Sequence, residues 1–117
     1  MKLSDILNTV SIPLEHDKVV FALIPMTSAM IDRWNNILLA RPTEGEDRAE
    51  FNTRVKHEQL SLMAEHLRNC VVEGEKKRVT AKWVANELPQ PILQSLAEWF
   101  VEGTRPAWAD AGGVEGK

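Results

Sequence analysis

The architecture of this chain follows from Val10-Ser11-Ile12-Pro13-Leu14 and, after a polar break, from Val19-Val20-Phe21-Ala22-Leu23-Ile24. In the first stretch, apolar residues stand at every second position, which is the period of a strand with one buried face. The second stretch is apolar on both sides and rich in β-branched residues, so it predicts a better-buried partner strand. We therefore expect a β-hairpin over about residues 10–24. Pro13 marks its first strand as an edge strand, because proline cannot donate to a ladder.

The hairpin must pack on helices or on another chain, because two strands alone are only marginally stable in water. Apolar residues at helical spacing, with caps and breakers at the ends, predict helices over about residues 27–40, 46–72, 81–88 and 90–102. Thr43 and Glu46 fit a capping box ahead of the second helix, and Gly74 is expected to end that helix. The expected fold class is α+β, mainly α, with an N-terminal hairpin packed on a body of about four helices.

The length of 117 residues suits one domain. We expect this domain to span residues 1–106, and the glycines and small residues of 107–117 to form a flexible tail. Hydrophobic residues make up 44% of the chain and charged residues 26%, which is the mix of a globular protein. The net charge of -3 argues against a nucleic-acid partner, because phosphate binding is driven largely by Lys and Arg.

The sequence also bears on the compartment in which the protein works. Cys70 is the single cysteine, so an intrachain disulfide is excluded and a reducing compartment is favoured. Asp5 and Asn8 interrupt any apolar run at the N-terminus, which argues against a signal peptide. No apolar stretch approaches the length needed to span a bilayer. We expect a protein of the cytosol with no membrane partner.

Motifs for catalysis or metal binding are incomplete. His57 and Glu58 open a zinc-protease motif, but Ser61 stands where its second histidine is required. His66 and Cys70 lie four residues apart on one helical face and could both bind a metal, but two ligands do not make a site. We predict no catalytic, cofactor-binding or metal-binding residue. A small metal-dependent enzyme built around His57, His66 and Cys70 is the least favoured alternative.

The four tryptophans, in a chain without tyrosine, are the best candidates for contact with another protein. Tryptophan is enriched at interfaces because it buries a large area and keeps one polar group. Trp34 and Trp99 fall on apolar stripes, which favours core packing for both. Trp83 and Trp108 lie near loops or the tail, and local packing and partner contact stay equally open for them. The candidate partner-binding residues are Trp83, Trp99 and Trp108, with Val19 and Phe21 of the hairpin.

The order of short motifs along the chain is similar to that of a known family. The hairpin runs into Ile24-Pro25-Met26-Thr27-Ser28 and a helix, and a later helix ends at Leu67-Arg68-Asn69-Cys70-Val71-Val72-Glu73. Val79-Thr80-Ala81-Lys82-Trp83 follows, and then Leu88-Pro89 leads through Pro91-Ile92-Leu93-Gln94-Ser95-Leu96. In the order and spacing of these elements, about residues 10–103 resemble the tail assembly chaperones of long-tailed bacteriophages.

This resemblance implies a non-enzymatic protein made in the cytoplasm of an infected bacterium. Such proteins coat the long tape measure protein, keep it soluble, help to recruit tail-tube subunits and are absent from the finished virion. The implied partners are therefore the tape measure protein, the tail-tube protein and further copies of the chain itself. The alternative is a structural tail-completion or adaptor protein of a virion or secretion apparatus, which would remain in the mature particle.

Overall fold

The structure, a computed structural model, describes residue 2 and residues 11–110. It has the predicted α+β, mainly α, fold class, with a β-hairpin ahead of a helical body. The elements in chain order are β1 (Ile12–His16), β2 (Val19–Leu23), α1 (Ser28–Leu38), α2 (Arg48–Cys70), β3 (Val71–Glu73), a 3-10 turn (Lys76–Arg78), α3 (Ala81–Glu87), α4 (Gln90–Ala97), a π-helical turn (Glu98–Glu102) and α5 (Ala107–Asp110).

The hairpin has a two-residue turn at Asp17 and Lys18. Both residues have positive φ, 52° and 65°, as the type I′ turn requires for matching the twist of the two strands. The turn leaves His16 opposite Val19, so β1 extends two residues beyond the predicted strand end at Leu14. Val10, the predicted first residue of that strand, lies outside the described residues. Among the described strands β1 lies at the edge of the sheet, as predicted, because β2 lies between β1 and β3.

A third strand replaces the predicted end of the second helix. That helix was expected to reach residue 72, but α2 ends at Cys70 and β3 pairs antiparallel with β2. Val71 lies opposite Phe21 and is buried. By pairing with the free edge of β2, Val71 gains strand hydrogen bonds and a position in the core, which it would not gain by continuing the helix. Gly74 therefore follows a strand rather than capping a helix. Its φ is +106°, and a Cβ there would lie 2.6 Å from the Lys18 carbonyl oxygen.

The helix α2 begins two residues later than predicted, with a different capping box. Asp47 accepts from the Glu50 N–H at 2.8 Å, and Glu50 accepts from the Asp47 N–H at 3.0 Å. Thr43 and Glu46 form a turn instead, in which the Thr43 N–H donates to the Glu46 carboxylate at 2.9 Å. Gly45, with φ of +83°, takes this turn out of helical geometry. Thr43 with Glu46 and Asp47 with Glu50 both have the spacing of a capping box. Because residues 43–46 form a turn, the helix begins after them and Asp47 with Glu50 caps it.

The last predicted helix changes its winding part-way along. It is α-helical to Ala97 and π-helical over Glu98–Glu102, and Gly103 ends it in a left-handed conformation. Trp99 and Phe100, which are neighbours in the π turn, are 6% and 0% exposed. Ala107–Asp110, at the start of the predicted tail, form a helical turn, and residues 111–117 lie outside the described residues.

The core lies between the inner face of the sheet and the C-terminal half of α2. The buried side chains of the sheet are Ile12, Leu14, Val19, Phe21, Leu23 and Val71, and those of α2 are Leu62, Met63, Ala64, His66, Leu67 and Cys70. No residue is fully buried at positions 48–61 of α2 or 31–38 of α1. We call these two segments the two-helix arm. Within the described residues, no helix combines the length and the apolar character needed to cross a membrane.

We expect Gly74→Ala to lower the free energy of unfolding by more than about 2 kcal/mol. A left-handed backbone costs an L residue roughly 1–2 kcal/mol, and the added Cβ would also press on the Lys18 carbonyl. Gly45→Ala is the matched control, because Gly45 also has positive φ but has no heavy atom within 4 Å of the added Cβ. Urea denaturation measures both variants. Equal losses would contradict a special role for the approach of Gly74 to the hairpin.

Candidate protein-binding groove

Most of the predicted partner-binding residues lie in the core. Val19 and Phe21 are 0% and 1% exposed on the central strand of the sheet, and Trp83 and Trp99 are also buried. All four side chains belong to the one hydrophobic core cluster of the chain. Partner contact through these residues stays a prediction, while the more exposed surface of the chain offers a groove.

The polar group of each of these tryptophans is also used inside the chain. The Trp99 indole N–H donates to the Leu23 carbonyl at 3.1 Å. The Trp83 indole N–H donates to the Asp17 carboxylate at 3.0 Å, and that of Trp108 donates to the Ser95 hydroxyl at 3.0 Å. Trp108 is half-buried and packs on the core from α5. Local packing therefore accounts for both tryptophans whose role the sequence left open.

The hydrogen bond from Trp83 also acts on the hairpin turn. Together with Arg78, whose guanidinium lies 3.2 Å away, it holds the pKa of the Asp17 carboxyl below its ordinary value. The carboxylate stays charged and ties the turn to α3.

The histidines and the cysteine considered for a metal site do not converge. His57 is exposed on the two-helix arm, whereas His66 is 3% exposed in the core. Cys70 is buried, and this burial raises the pKa of its thiol to about 11, so the thiol stays protonated. Within residues 11–110, no three His, Cys, Asp or Glu side chains are grouped so that they could hold a metal ion.

His66 is a packing residue with one hydrogen bond. Its Nε2 lies 2.7 Å from the Ile24 carbonyl oxygen and donates to it, and its ring meets Phe100 edge-on at 4.6 Å. Its Nδ1 is buried and has no hydrogen-bond partner among the described residues, which suits the acceptor nitrogen of a neutral ring. Burial lowers the pKa of His66, although the bond to Ile24 opposes this effect.

An open apolar groove lies between α1, α2 and α4. Its walls enclose a volume of about 230 Å³. We call it the α2–α4 groove, and its lining residues are Trp34, Lys56, Gln59, Leu60, Met63, Gln90, Leu93, Gln94 and Ala97. A second hollow of about 380 Å³ shares Lys56, Leu60, Gln90 and Leu93 with it and continues to the corner between α3 and α4 at residues 85–89. The two hollows together follow one side of the helical body.

Two helix faces with the same spacing form the walls of the groove. Lys56, Gln59, Leu60 and Met63 stand at i, i+3, i+4 and i+7 along α2, and positions 90, 93, 94 and 97 repeat this spacing along α4. Residues at this spacing share one side of a helix. The sequence puts Leu93 and Leu96 on one apolar stripe, but only Leu96 is fully buried, while Leu93 lines the groove. This repeated spacing is the sequence signal that could have located the site.

An ion pair holds the third wall in place. Arg33 of α1 donates to both carboxylate oxygens of Glu65 of α2, at 2.7 and 3.0 Å. The bidentate geometry fixes the orientation of α1 on α2, and Trp34 is the next residue along the chain. The hydrogen bonds from Arg33 also hold the pKa of Glu65 below its ordinary value.

The groove has the chemistry of a protein-binding surface. Trp34, Leu60 and Leu93 give it a partly exposed apolar floor, and three glutamines and Lys56 give it a polar rim. An apolar centre with a polar rim is the usual arrangement where proteins meet. No family model, no curated protein and no solved structure matches this chain. The interpretation of the groove therefore rests on its own geometry.

We expect the stability of the fold to fall on acidification because of His66. Its pKa is lowered in the folded chain, so below the unfolded value of about 6.5 the unfolded chain binds more protons. The stabilisation from the neutral ring is therefore present above that pH and is lost as the pH falls toward the folded pKa. Urea midpoints measured from about pH 7.5 to pH 5 should fall less steeply in His66→Gln than in the wild type. His57→Gln, at an exposed site, should keep the wild-type slope, and a wild-type slope in His66→Gln would contradict the prediction.

Proposed function

We propose that this protein is a non-catalytic assembly factor that binds an amphipathic helix of a partner protein in the α2–α4 groove. The supporting observation is the pair of facing helix walls with a partly exposed apolar floor between them. Insertion of an amphipathic helix into a hydrophobic groove is a recurring mode of recognition. Residues 56–63 and 90–97 each extend over about 10 Å of helix axis, which matches about two turns of a bound helix.

The family resemblance suggests which partner this is. We propose the tape measure protein of a long-tailed bacteriophage as the client, with recruitment of tail-tube subunits as the second step. A long and largely helical client has apolar stripes that need to be covered until the tail assembles around it. The work of the protein is then done in the cytoplasm of the infected bacterium, as several copies bind along one client.

The size of the groove suits transient binding. A contact of about two helical turns buries less area than the roughly 1,200 Å² at which stable protein interfaces begin. Each copy would therefore bind reversibly, while many copies together cover the client. This is what a factor that must leave the finished structure requires.

We expect the wild-type chain to keep a co-expressed tape measure protein in the soluble fraction, and Leu60→Gln and Leu93→Gln to reduce that fraction severalfold. Both substitutions place an amide on the apolar floor of the groove, and both sites are only partly buried, so the fold should survive. Leu39→Gln is the matched control, because Leu39 is 76% exposed at the end of α1, outside the groove. Thermal unfolding of each variant checks that it is folded.

Three outcomes would contradict the proposed function. The client could remain insoluble with the wild-type chain, or the groove variants could solubilise it as well as Leu39→Gln does. The protein could also be found by mass spectrometry in mature phage particles at a fixed copy number. This last result would favour a structural tail-completion or adaptor protein instead.

A further inference from the structure

We propose that the α2–α4 groove selects helices that carry an acidic side chain beside their apolar stripe, and that Lys56 is the residue that recognises the acid. The proposal deepens the proposed function, because it uses the same groove and specifies the chemistry of its occupant. It does not depend on which protein supplies the helix.

The position of Lys56 is the first observation. It lines both hollows, at the point where the α2–α4 groove meets the second hollow, beside the apolar side chains of Leu60 and Leu93. A carboxylate on a helix bound along this floor would approach the Lys56 ammonium with apolar surface around it. Water would be partly displaced there, so the attraction would be stronger than between two fully exposed charges.

The absence of an internal partner for Lys56 is the second observation. Within residues 11–110, no carboxylate oxygen lies within 4.0 Å of its ammonium. Its helical neighbours three and four positions away are Asn52, Thr53, Gln59 and Leu60, none of which carries a charge. An acid supplied by a partner would therefore not have to displace an existing ion pair.

Two arginines of the two-helix arm behave differently. Arg33 pairs with Glu65, and Arg54 pairs with Glu46 and lies 3.8 Å from Glu58. These charges are neutralised inside the chain and brace the arm. Lys56 is thus the cation that faces the groove without such a pair.

The rest of the groove wall does not oppose an acidic partner. The other polar liners of the α2–α4 groove are Gln59, Gln90 and Gln94, whose amides can donate to a carboxylate. Among the described residues, no Asp or Glu lines this hollow, and Glu87, which lines the second hollow, is hydrogen-bonded to His16 at 3.1 Å. A basic side chain on the bound helix would meet Lys56 as a like charge, which selects against such helices.

The test uses the full chain and two synthetic helical peptides with the same leucine stripe. One peptide carries Glu and the other Lys at the positions flanking the stripe, and fluorescence anisotropy measures the dissociation constant of each. We expect the wild type to bind the Glu peptide at least about fivefold more tightly at low salt, and the ratio to shrink at high salt. In Lys56→Glu the preference should reverse.

Lys82→Glu is the matched control. It changes the net charge of the chain by the same amount at an exposed position of α3 that lines neither hollow, so the preference for the Glu peptide should remain. Equal binding of the two peptides to the wild type, a preference that Lys56→Glu leaves unchanged, or no binding of either peptide would each overturn the proposal.

The two proposals can fail separately. If the charge preference reverses in Lys56→Glu while the tape measure protein stays insoluble on co-expression, the groove selects acidic helices but the proposed client is wrong. If the wild type solubilises the client but binds both peptides equally, the proposed function survives and the role of Lys56 is overturned.

Discussion

The connection between the sheet and the first helix, residues 23–26, is the point on which the rest of the structure depends. Buried backbone groups must find hydrogen-bond partners, and the chain leaves regular structure after Leu23, the last residue of β2. Two other elements supply them: Leu23 pairs with Trp99, Ile24 with His66 and Met26 with Phe100, at 3.1, 2.7 and 2.8 Å. The sheet, α2 and the π turn that follows α4 are therefore joined at one place.

The groove is a consequence of this junction. The junction anchors the C-terminal half of α2 and the π turn after α4 at the core. The helix α2 has 23 residues and is about 34 Å long, so its N-terminal half extends away from the junction. The helix α1 starts two residues after Met26 and is held to α2 by Arg33 and Glu65. Tight packing at one end and open space at the other thus follow from a single arrangement of backbone partners.

The sequence predicts what depends on local periodicity. Alternating and helical spacing locate the hairpin and the main helices, because those patterns reflect which side of an element is buried. The strand β3 was not predicted, because the sequence of residues 71–73 continues the pattern of the preceding helix. These residues form a strand only because they pair with the free edge of β2. The hydrogen-bond acceptors of the tryptophans could not be predicted either, since the acceptor for Trp99 is 76 residues away in the chain. Likewise, each wall of the groove is visible in the sequence, but the fact that the two walls face each other is tertiary information.

The two-helix arm gives the site a mechanical property that the core lacks. Without fully buried side chains, the arm depends on its capping box, on exposed ion pairs that contribute little to stability, and on partly buried apolar side chains at Ile31, Trp34, Ile37 and Leu60. Segments held in this way open and reclose at a small fraction of the free energy of global unfolding. Two walls of the groove are therefore compliant while α4 remains anchored. A binding site with this compliance can accommodate side chains of different sizes at successive positions along a client without disturbing the packed sheet.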